Sequence, residues 1–517
     1  MKALVLAAAL LAALGWANPL TYSDIPDNDV IRVGDSYYMV STTMFFCPGA
    51  PIMKSDDLVH WRTVNYIFDC LEDDDVYNLR GGRNAYGKGQ WATSLRYHNG
   101  TYYALFIAND QPGKTYIYKT ADIERGPWHK TVIPKQMHDA SMLFDTDGRL
   151  YVVWGNGDLR ITELESDASA LKAGGIDTLL LSTPVKGYGL RAEGAHVYHI
   201  GEYYYILEID WPRKGIRTET CWRSRSLTGE WESRVVLKGT LAPRKNDGVA
   251  QGAIVDTPQG DWYAIMFQDH GAVGRIPTLQ RVTWTDGWPI MGEDTVPETT
   301  FAHSLPLKGE DYVWSSDEFE ADTLAKVWQW NHKPVERGWS LAERPGWLRL
   351  KTSSPATDIM DARGTLTQRT AGPLCSSEVL LDASGLKPGD NAGICAFQSH
   401  ACSIGIEIGP DGARRIVARN YTPGKLTKVI MSRETASEKI RLRIDYNFND
   451  DTARISYSES EQGAFIPVDY VLRMKYTLDY FVGYRTGLYC YSTSTTGGFA
   501  DFGWFRQEVT SSLLRHP

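Results

Sequence analysis

After its first fourteen residues the chain has no long apolar run, and nowhere does it have a lysine- and arginine-rich cluster or cysteines and histidines at metal-ligand spacing. Each absence removes a class of function. A membrane-spanning helix needs about 20 consecutive apolar residues, so no membrane association is expected. A nucleic-acid binder needs a basic patch to neutralise phosphates, whereas this chain of 517 residues carries a formal charge of −9. Nucleic acid is therefore not expected as a partner. With no Cys-x-x-Cys and no paired histidines, a zinc centre has no framework. No His-Glu-x-x-His, Gly-x-Ser-x-Gly, phosphate loop or dinucleotide fingerprint occurs either, which removes the enzyme classes built on those devices. Good helix formers gather only at Asp167–Ala173.

What remains is a soluble, globular composition, 43% hydrophobic and 23% charged, in a chain long enough for two or three domains. Seventeen tryptophans and 28 tyrosines make it rich in residues that favour strands and flat surfaces facing polar ligands. Residues 1–17 read as a secretory signal peptide: Lys2, the apolar stretch from Ala3 to Leu14, then small residues at Gly15 and Ala17. The mature chain is expected to begin near Asn18 and to be secreted and extracellular. Export permits disulfides among the seven cysteines, of which the odd count leaves at least one unpaired.

One strand signal recurs five times. A glycine turn leads into an aromatic strand at Gly34-Asp-Ser-Tyr-Tyr38, Gly100-Thr-Tyr-Tyr103, Gly148-Arg-Leu-Tyr151, Gly201-Glu-Tyr-Tyr204 and Gly260-Asp-Trp-Tyr263. The marked tyrosines are 65, 48, 53 and 59 residues apart, and an apolar strand precedes each turn. Repeats of about 50–60 residues, all β, with hairpin turns, predict propeller blades. Five of them fill residues 18–300. A sandwich with coincidental tyrosine hairpins is the alternative. After a polar stretch near 291–312, residues 313–517 alternate short strands with Gly, Asp and Pro turns and predict a separate C-terminal β-sandwich.

The innermost strand of each blade starts at the central channel, so residues phased alike in the repeat should converge there. Seven to nine residues before each glycine stand Asp27, Trp91, Asp139, Glu193 and Gln251. Carboxylates crowded on one rim push at least one pKa upward while a solvated member stays ionised. A protonated and an ionised carboxyl flanking one bond is the requirement of glycoside hydrolysis, and a tryptophan face suits a sugar ring. Clustered carboxylates also suit Ca2+; Glu72-Asp73-Asp74-Asp75 is the better run for such an ion, or simply a solvated loop.

Around these residues the segments Ser23-Asp-Ile-Pro-Asp27, Gln90-Trp-Ala-Thr-Ser-Leu-Arg-Tyr, His138-Asp139-Ala-Ser-Met, Ala192-Glu193-Gly-Ala-His and Gly274-Arg275 resemble glycoside hydrolase family 43. The resemblance implies a five-bladed propeller, an inverting mechanism and no required cofactor, a structural Ca2+ being optional. It implies Asp27 as general base, Glu193 as general acid, and Asp139 as the residue that orients and tunes the acid. Trp91 and Arg275 match the terminal-sugar pocket. Substrates implied are plant cell-wall polysaccharides or oligosaccharides, with terminal β-D-xylose and α-L-arabinofuranose both open. Similarity around Met44-Phe-Phe-Cys-Pro-Gly-Ala and Gly126-Pro-Trp is to the exo-acting xylosidase and arabinofuranosidase branch. A non-catalytic carbohydrate-binding propeller and an endo-acting arabinanase are the alternatives. Two departures stand out: the Gly-His-Gly of many members reads Ala250-Gln251-Gly252, leaving His270 as a candidate near the site, and Asp29 rivals Asp27 as base. Phe45 and Phe46 are candidates for an aromatic wall that blocks the channel beyond one sugar, or for the core.

Overall fold

The computed structural model describes residues 15–184, 186–241, 247–302, 304–309 and 313–510. Five four-stranded antiparallel sheets follow one another from Asp29 to Met291, and each is a simple meander. Their first strands are Asp29–Val33, Gln90–His98, Ser141–Phe144, Tyr188–Ile200 and Ala250–Asp256, which begin blades I to V. The repeated hairpin joins the first and second strand of every blade, as in the Val33 to Ser36 and Ile200 to Tyr203 pairings. Asp167–Ala173 forms turns and a bridge, and the only helix among the described residues is a single 3-10 turn at Gly271–Val273. Among the described residues no helix is long and apolar enough to cross a membrane.

The repeated tyrosines have a packing role. Strand alternation gives each second strand two faces, and both are covered by neighbouring blades. Tyr38 packs with Leu95 and Ala104 of blade II, Tyr103 with Met142 and Val152 of blade III, and Tyr151 with Val197 and Ile206 of blade IV. In blade IV the marked Tyr204 instead turns back to the cluster of blades III and IV, and its neighbour Tyr205 packs with Ile254 and Met266 of blade V. The ring closes where Tyr37 and Met39 meet Ala253, Tyr263 and Ile265. Asn18 pins that closure: its side chain donates to the Leu279 and Glu298 carbonyls and accepts from the Leu279 N–H. Just before it, Gly15–Ala17 pairs with Thr300–Ala302. A cut at the expected leader boundary after Ala17 would remove the Gly15–Ala17 strand of this ribbon and leave the Asn18 side-chain bonds in place; residues 1–14 lie outside the described residues.

The stretch expected to be a linker is packed down. Leu305 and Val313 join the closure between blades I and V, and the Lys308 N–H donates to Asp57. Beyond it, an eight-stranded and a seven-stranded sheet stack into the sandwich, with Ile394, Ile404, Leu488, Val379, Leu442 and Phe502 meeting between them. The two domains are fused. Phe46–Cys47, from blade I, pairs with Gln329–Asn331 and so extends the eight-stranded sheet. Cys47 is bonded to Cys70, while Cys221, Cys375, Cys395, Cys402 and Cys490 are buried free thiols.

Candidate active site

The first strands do not run straight into the axis. Asp27, Asp139, Ala192 and Gln251 all have positive φ (54°, 44°, 23° and 61°), a region that costs non-glycine residues about 1–3 kcal/mol each. In blades II, IV and V the pairing also slips, at Gln90 to Thr93, on both sides of Glu193, and at Ala250 to Gly252. A bulge or left-handed residue turns a side chain that strand geometry would point sideways. The kinks thus recur in phase with the repeat and aim five different side chains at one place. Gly194 (φ 65°) is required beside Glu193, because a Cβ there would lie 2.7 Å from the Gln251 side chain.

Asp27, Trp91, Asp139, Glu193, Gln251 and Arg275 come together in the lining of one cavity of about 70 Å3, with Leu190, Ile209, Arg217, Phe267 and Asp269 among the others. Asp27 accepts from Thr42 Oγ1 (2.6 Å), Arg275 Nη1 (2.7 Å) and Gln251 Nε2 (3.3 Å). Burial still pushes its carboxyl above the ordinary value, against the pull of Arg275 and Thr42. Arg275 retains unpartnered buried donors at Nε and Nη2, which leaves it hydrogen-bonding capacity for a ligand hydroxyl.

Glu193 stands in an acidic cluster that the sequence indicated only in part. Glu193 Oε2 accepts from Asn156 Nδ2 and lies 3.4 Å from His138 Nε2, which is 3.8 Å from Asp139 Oδ2. Asp139 also accepts from the Gly194 N–H at 3.2 Å. Burial, reinforced by the Glu193 and Asp27 charges, pushes Asp139 up to about 7 despite His138. Burial works against a charged His138, but Asp139, Glu193 and Asp27 outweigh it and raise its pKa. The ligating atoms of this trio lie within 4.8 Å of one another. Asn156 and His138 both approach Glu193 Oε2, so that oxygen is already engaged by protein groups.

Below the carboxylates the channel narrows to a space of about 10 Å3 lined by Ser94 and His196, among others, room for about one water. Here Asp29, the rival base, is locked away. It accepts from Arg96 Nη1 (2.6 Å) and the Leu95 N–H (2.7 Å) and is fully buried. Strand alternation would put Asp27 and Asp29 on one face, but the strand begins only at Asp29 and the left-handed Asp27 turns away from it.

Two expected pocket residues are placed elsewhere. Phe45 is wholly buried against Phe46, Tyr86, His332 and Tyr480 at the junction with the sandwich, so neither it nor Phe46 walls the pocket. His270 is turned to Tyr22 Oη, outside the cavity. Its strand explains why: alternation along Trp262–Asp269 presents Phe267 and Asp269 to the pocket instead. Asp269 pairs there with Arg217, whose guanidinium lies 4.6 Å from the Trp211 ring centre. Glu72-Asp73-Asp74-Asp75 is a loop with protein partners: Glu72 takes Tyr116 and Lys130, Asp73 takes Lys333 of the sandwich, and Asp74 caps Val76 and Tyr77.

The sandwich supplies a residue the repeat could not reveal. Phe481 lines the cavity, 5.7 Å from the Trp91 ring and 4.6 Å from the Arg275 guanidinium. Asp24 ties it in, accepting from the Arg275 N–H (2.7 Å) and from the Gly483 N–H (2.8 Å). Gly483 admits no side chain, since a Cβ would fall 2.0 Å from the Val273 carbonyl.

Comparison with known proteins agrees with this arrangement. Residues 16–289 match the model of glycosyl hydrolases family 43, and residues 316–508 that of the β-xylosidase C-terminal concanavalin A-like domain. A β-xylosidase of Formosa agariphila is 29% identical, over 95% of this chain and 90% of its own. A non-reducing end α-L-arabinofuranosidase of Bacteroides ovatus is 30% identical, over 70% and 69%. A solved bifunctional GH43-CE protein of Bacteroides eggerthii superposes with a TM-score of 0.89 at 39% identity; it covers 97% of this chain, which spans 64% of that longer protein. A five-bladed propeller joined to a β-sandwich, with an acidic pocket on the propeller axis, belongs here to a glycoside hydrolase acting on polysaccharide or oligosaccharide: the chain is a member of glycosyl hydrolases family 43.

Proposed function

We propose that the chain is a secreted, inverting exo-glycosidase that releases terminal pentose, β-D-xylose or α-L-arabinofuranose, from xylan or arabinoxylan chains. The observation that carries this reading is the single small cavity in which Asp27 and Glu193 stand with different partners above a water-sized throat. A polysaccharide cannot thread such a throat, so the pocket suits a chain end. The relatives' names, β-xylosidase and α-L-arabinofuranosidase, support a pentose.

In the proposed mechanism Glu193 delivers a proton to the glycosidic oxygen as the bond to the anomeric carbon breaks. Asp27 accepts a proton from the water that attacks the opposite face of the ring. Inversion requires the two carboxyls to stand roughly 6.5–9.5 Å apart so that this water fits between them. Asn156 and His138 hold the Glu193 oxygen in position, and Arg275 orients both Asp27 and a sugar hydroxyl. Phe481 and Trp91 bring apolar surface to the ring.

The test compares nitrophenol release from aryl β-D-xylopyranoside and aryl α-L-arabinofuranoside, with Glu193→Ala as control and the first-formed anomer followed by NMR. Release of either pentose, inverted and lost in the variant, is the expected result. Internal cleavage of the polymer without pentose release would overturn the exo reading, and a retained anomer the mechanism.

A further inference from the structure

A buried carboxyl occupies a place in blade IV that no other blade gives to an acid. Seven residues after the repeat glycines stand Ser41, Ile107, Gly155, Glu208 and Phe267, and the blade that has the glutamate is the one that carries Glu193. Glu208 and Asp210 lie two apart on the second strand of that blade, Tyr203–Pro212, and so share a face. Ile209, between them, points the other way and lines the catalytic cavity. Both acids are buried. Burial first, then the Asp210 charge, raise Glu208 well above the ordinary carboxyl value, against the pull of a hydrogen bond from Trp222. Glu208 therefore keeps its proton, and its hydroxyl donates to Asp210.

The other bonds of Asp210 lead to the active site. Its Oδ2 accepts from Thr220 Oγ1 at 3.1 Å, and its Oδ1 accepts from the Ala192 N–H at 3.0 Å. Ala192 is where the first strand of blade IV leaves its ladder: its φ is 23°, and the pairing slips on both sides of Glu193. A backbone N–H freed by such a slip needs another acceptor, and strained backbone persists only where its surroundings hold it. Asp210 supplies that acceptor one residue before Glu193. The kink of the next blade is held by the same device, since the Gln251 N–H (φ 61°) donates to Glu219 Oε2 at 2.7 Å from the third strand of blade IV.

We propose that Asp210 is a positioning residue for the general acid: through the Ala192 N–H it fixes the kink that brings Glu193 against Asn156 and His138, while Glu208 and Thr220 hold Asp210 itself in place. This rests on the function proposed above, in which Glu193 protonates the leaving oxygen. Asp210 is not among the residues that line the cavity, so its effect passes through Glu193 and scales with how much the leaving group needs a proton. A dinitrophenolate departs unassisted. A sugar alkoxide does not, and general acid catalysis of such a departure is worth about 10²–10⁴-fold.

The test is Asp210→Ala on 2,4-dinitrophenyl β-D-xylopyranoside and on xylobiose, or on the α-L-arabinofuranosyl pair if the parent prefers that sugar, with thermal unfolding as the check on folding. On the disaccharide kcat/KM falls about a hundredfold, through kcat, while on the dinitrophenyl glycoside it stays within about threefold of the parent. Asp210→Asn, whose amide oxygen still accepts from the Ala192 N–H, recovers most of the disaccharide activity. Should Asp210→Ala not fold, Thr220→Val frees one Asp210 oxygen and reproduces the selectivity at about threefold to tenfold. Equal losses on both glycosides in folded protein, no loss on either, or an Asn variant as slow as the Ala variant overturn the positioning role and leave the exo-glycosidase reading intact. If the parent hydrolyses no pentoside, that reading fails instead, and crystal structures decide the role: Glu193 displaced from Asn156 in the variant supports it, and Glu193 unmoved overturns it.

Discussion

The mouth and the throat of the propeller axis contain the same kinds of residue in opposite states. In the throat, Asp29 spends one oxygen on Arg96 and a backbone N–H, and no cavity opens onto it. In the mouth, Asp27 also has a guanidinium partner, but that partner keeps donors in reserve and both line a cavity. A buried ion pair that lines no cavity is architecture; one with spare donors facing a cavity can do chemistry. The comparison is broken most directly by paired substitutions. Asp27→Asn and Glu193→Gln should each lower kcat/KM about a thousandfold or more with little change in unfolding temperature. Asp29→Ala should do the reverse, costing about 3–5 kcal/mol because Arg96 is left buried without its partner, while activity per folded molecule survives. Kinetics and thermal unfolding on the same preparations separate the two; full activity in folded Asp27→Asn would assign the base elsewhere.

The next test is electrostatic. Asp27 is raised above the ordinary carboxylate value and must be ionised to act as base, so activity should fall as pH drops through that raised pKa. On the other side burial, with the Glu193 and Asp27 charges, pushes Asp139 up to about 7, and, despite burial, the neighbouring carboxylates raise the pKa of His138. Activity should fall as pH rises and the cluster gives up the proton destined for the leaving oxygen. Asp139→Asn removes the carboxyl that burial holds up to about 7, so the alkaline limb should move by about one pH unit. An unmoved limb would remove Asp139 from the titration of this cluster. Smaller again is the contribution of the sandwich: Phe481→Ala opens one side of the pocket and should raise KM by about tenfold with a lesser loss in kcat.

How much of this could be read from sequence follows from what each residue does. The hairpin tyrosines were legible because every blade needs the same packing against its neighbour, and five copies of one physical problem leave a periodic trace. Asp27, Trp91, Asp139, Glu193 and Gln251 were legible for the same reason, since they share a phase with those hairpins. His138 stands beside Asp139 in a motif and was passed over. Asn156 and Phe481 left no periodic trace: one sits at the end of a second strand in a single blade, the other in a different domain. Phe45 was misplaced as a pocket candidate because the sequence does not show that the chain at Phe46–Cys47 leaves its blade to join the sandwich sheet.

The smallest effect concerns one strand. Gln268-Asp269-His270 offers two titratable neighbours, and the pleat sends them to opposite sides. Asp269 faces the pocket and holds Arg217, which in turn sits over Trp211 at the rim. Asp269→Asn removes the charge that fixes Arg217, so KM should rise about threefold to tenfold, the scale of one charge-assisted bond, with kcat nearly unchanged. His270→Gln, one residue away, keeps a side chain able to bond Tyr22 and touches no pocket atom. It should leave both constants within about twofold, with at most a modest loss of stability. If the two variants exchanged behaviour, the strand would be registered one residue away from the pairing of Asp269 with Arg275, and Arg275 itself would face away from Asp27. The kinetics of these two neighbours therefore test the register on which the catalytic geometry depends.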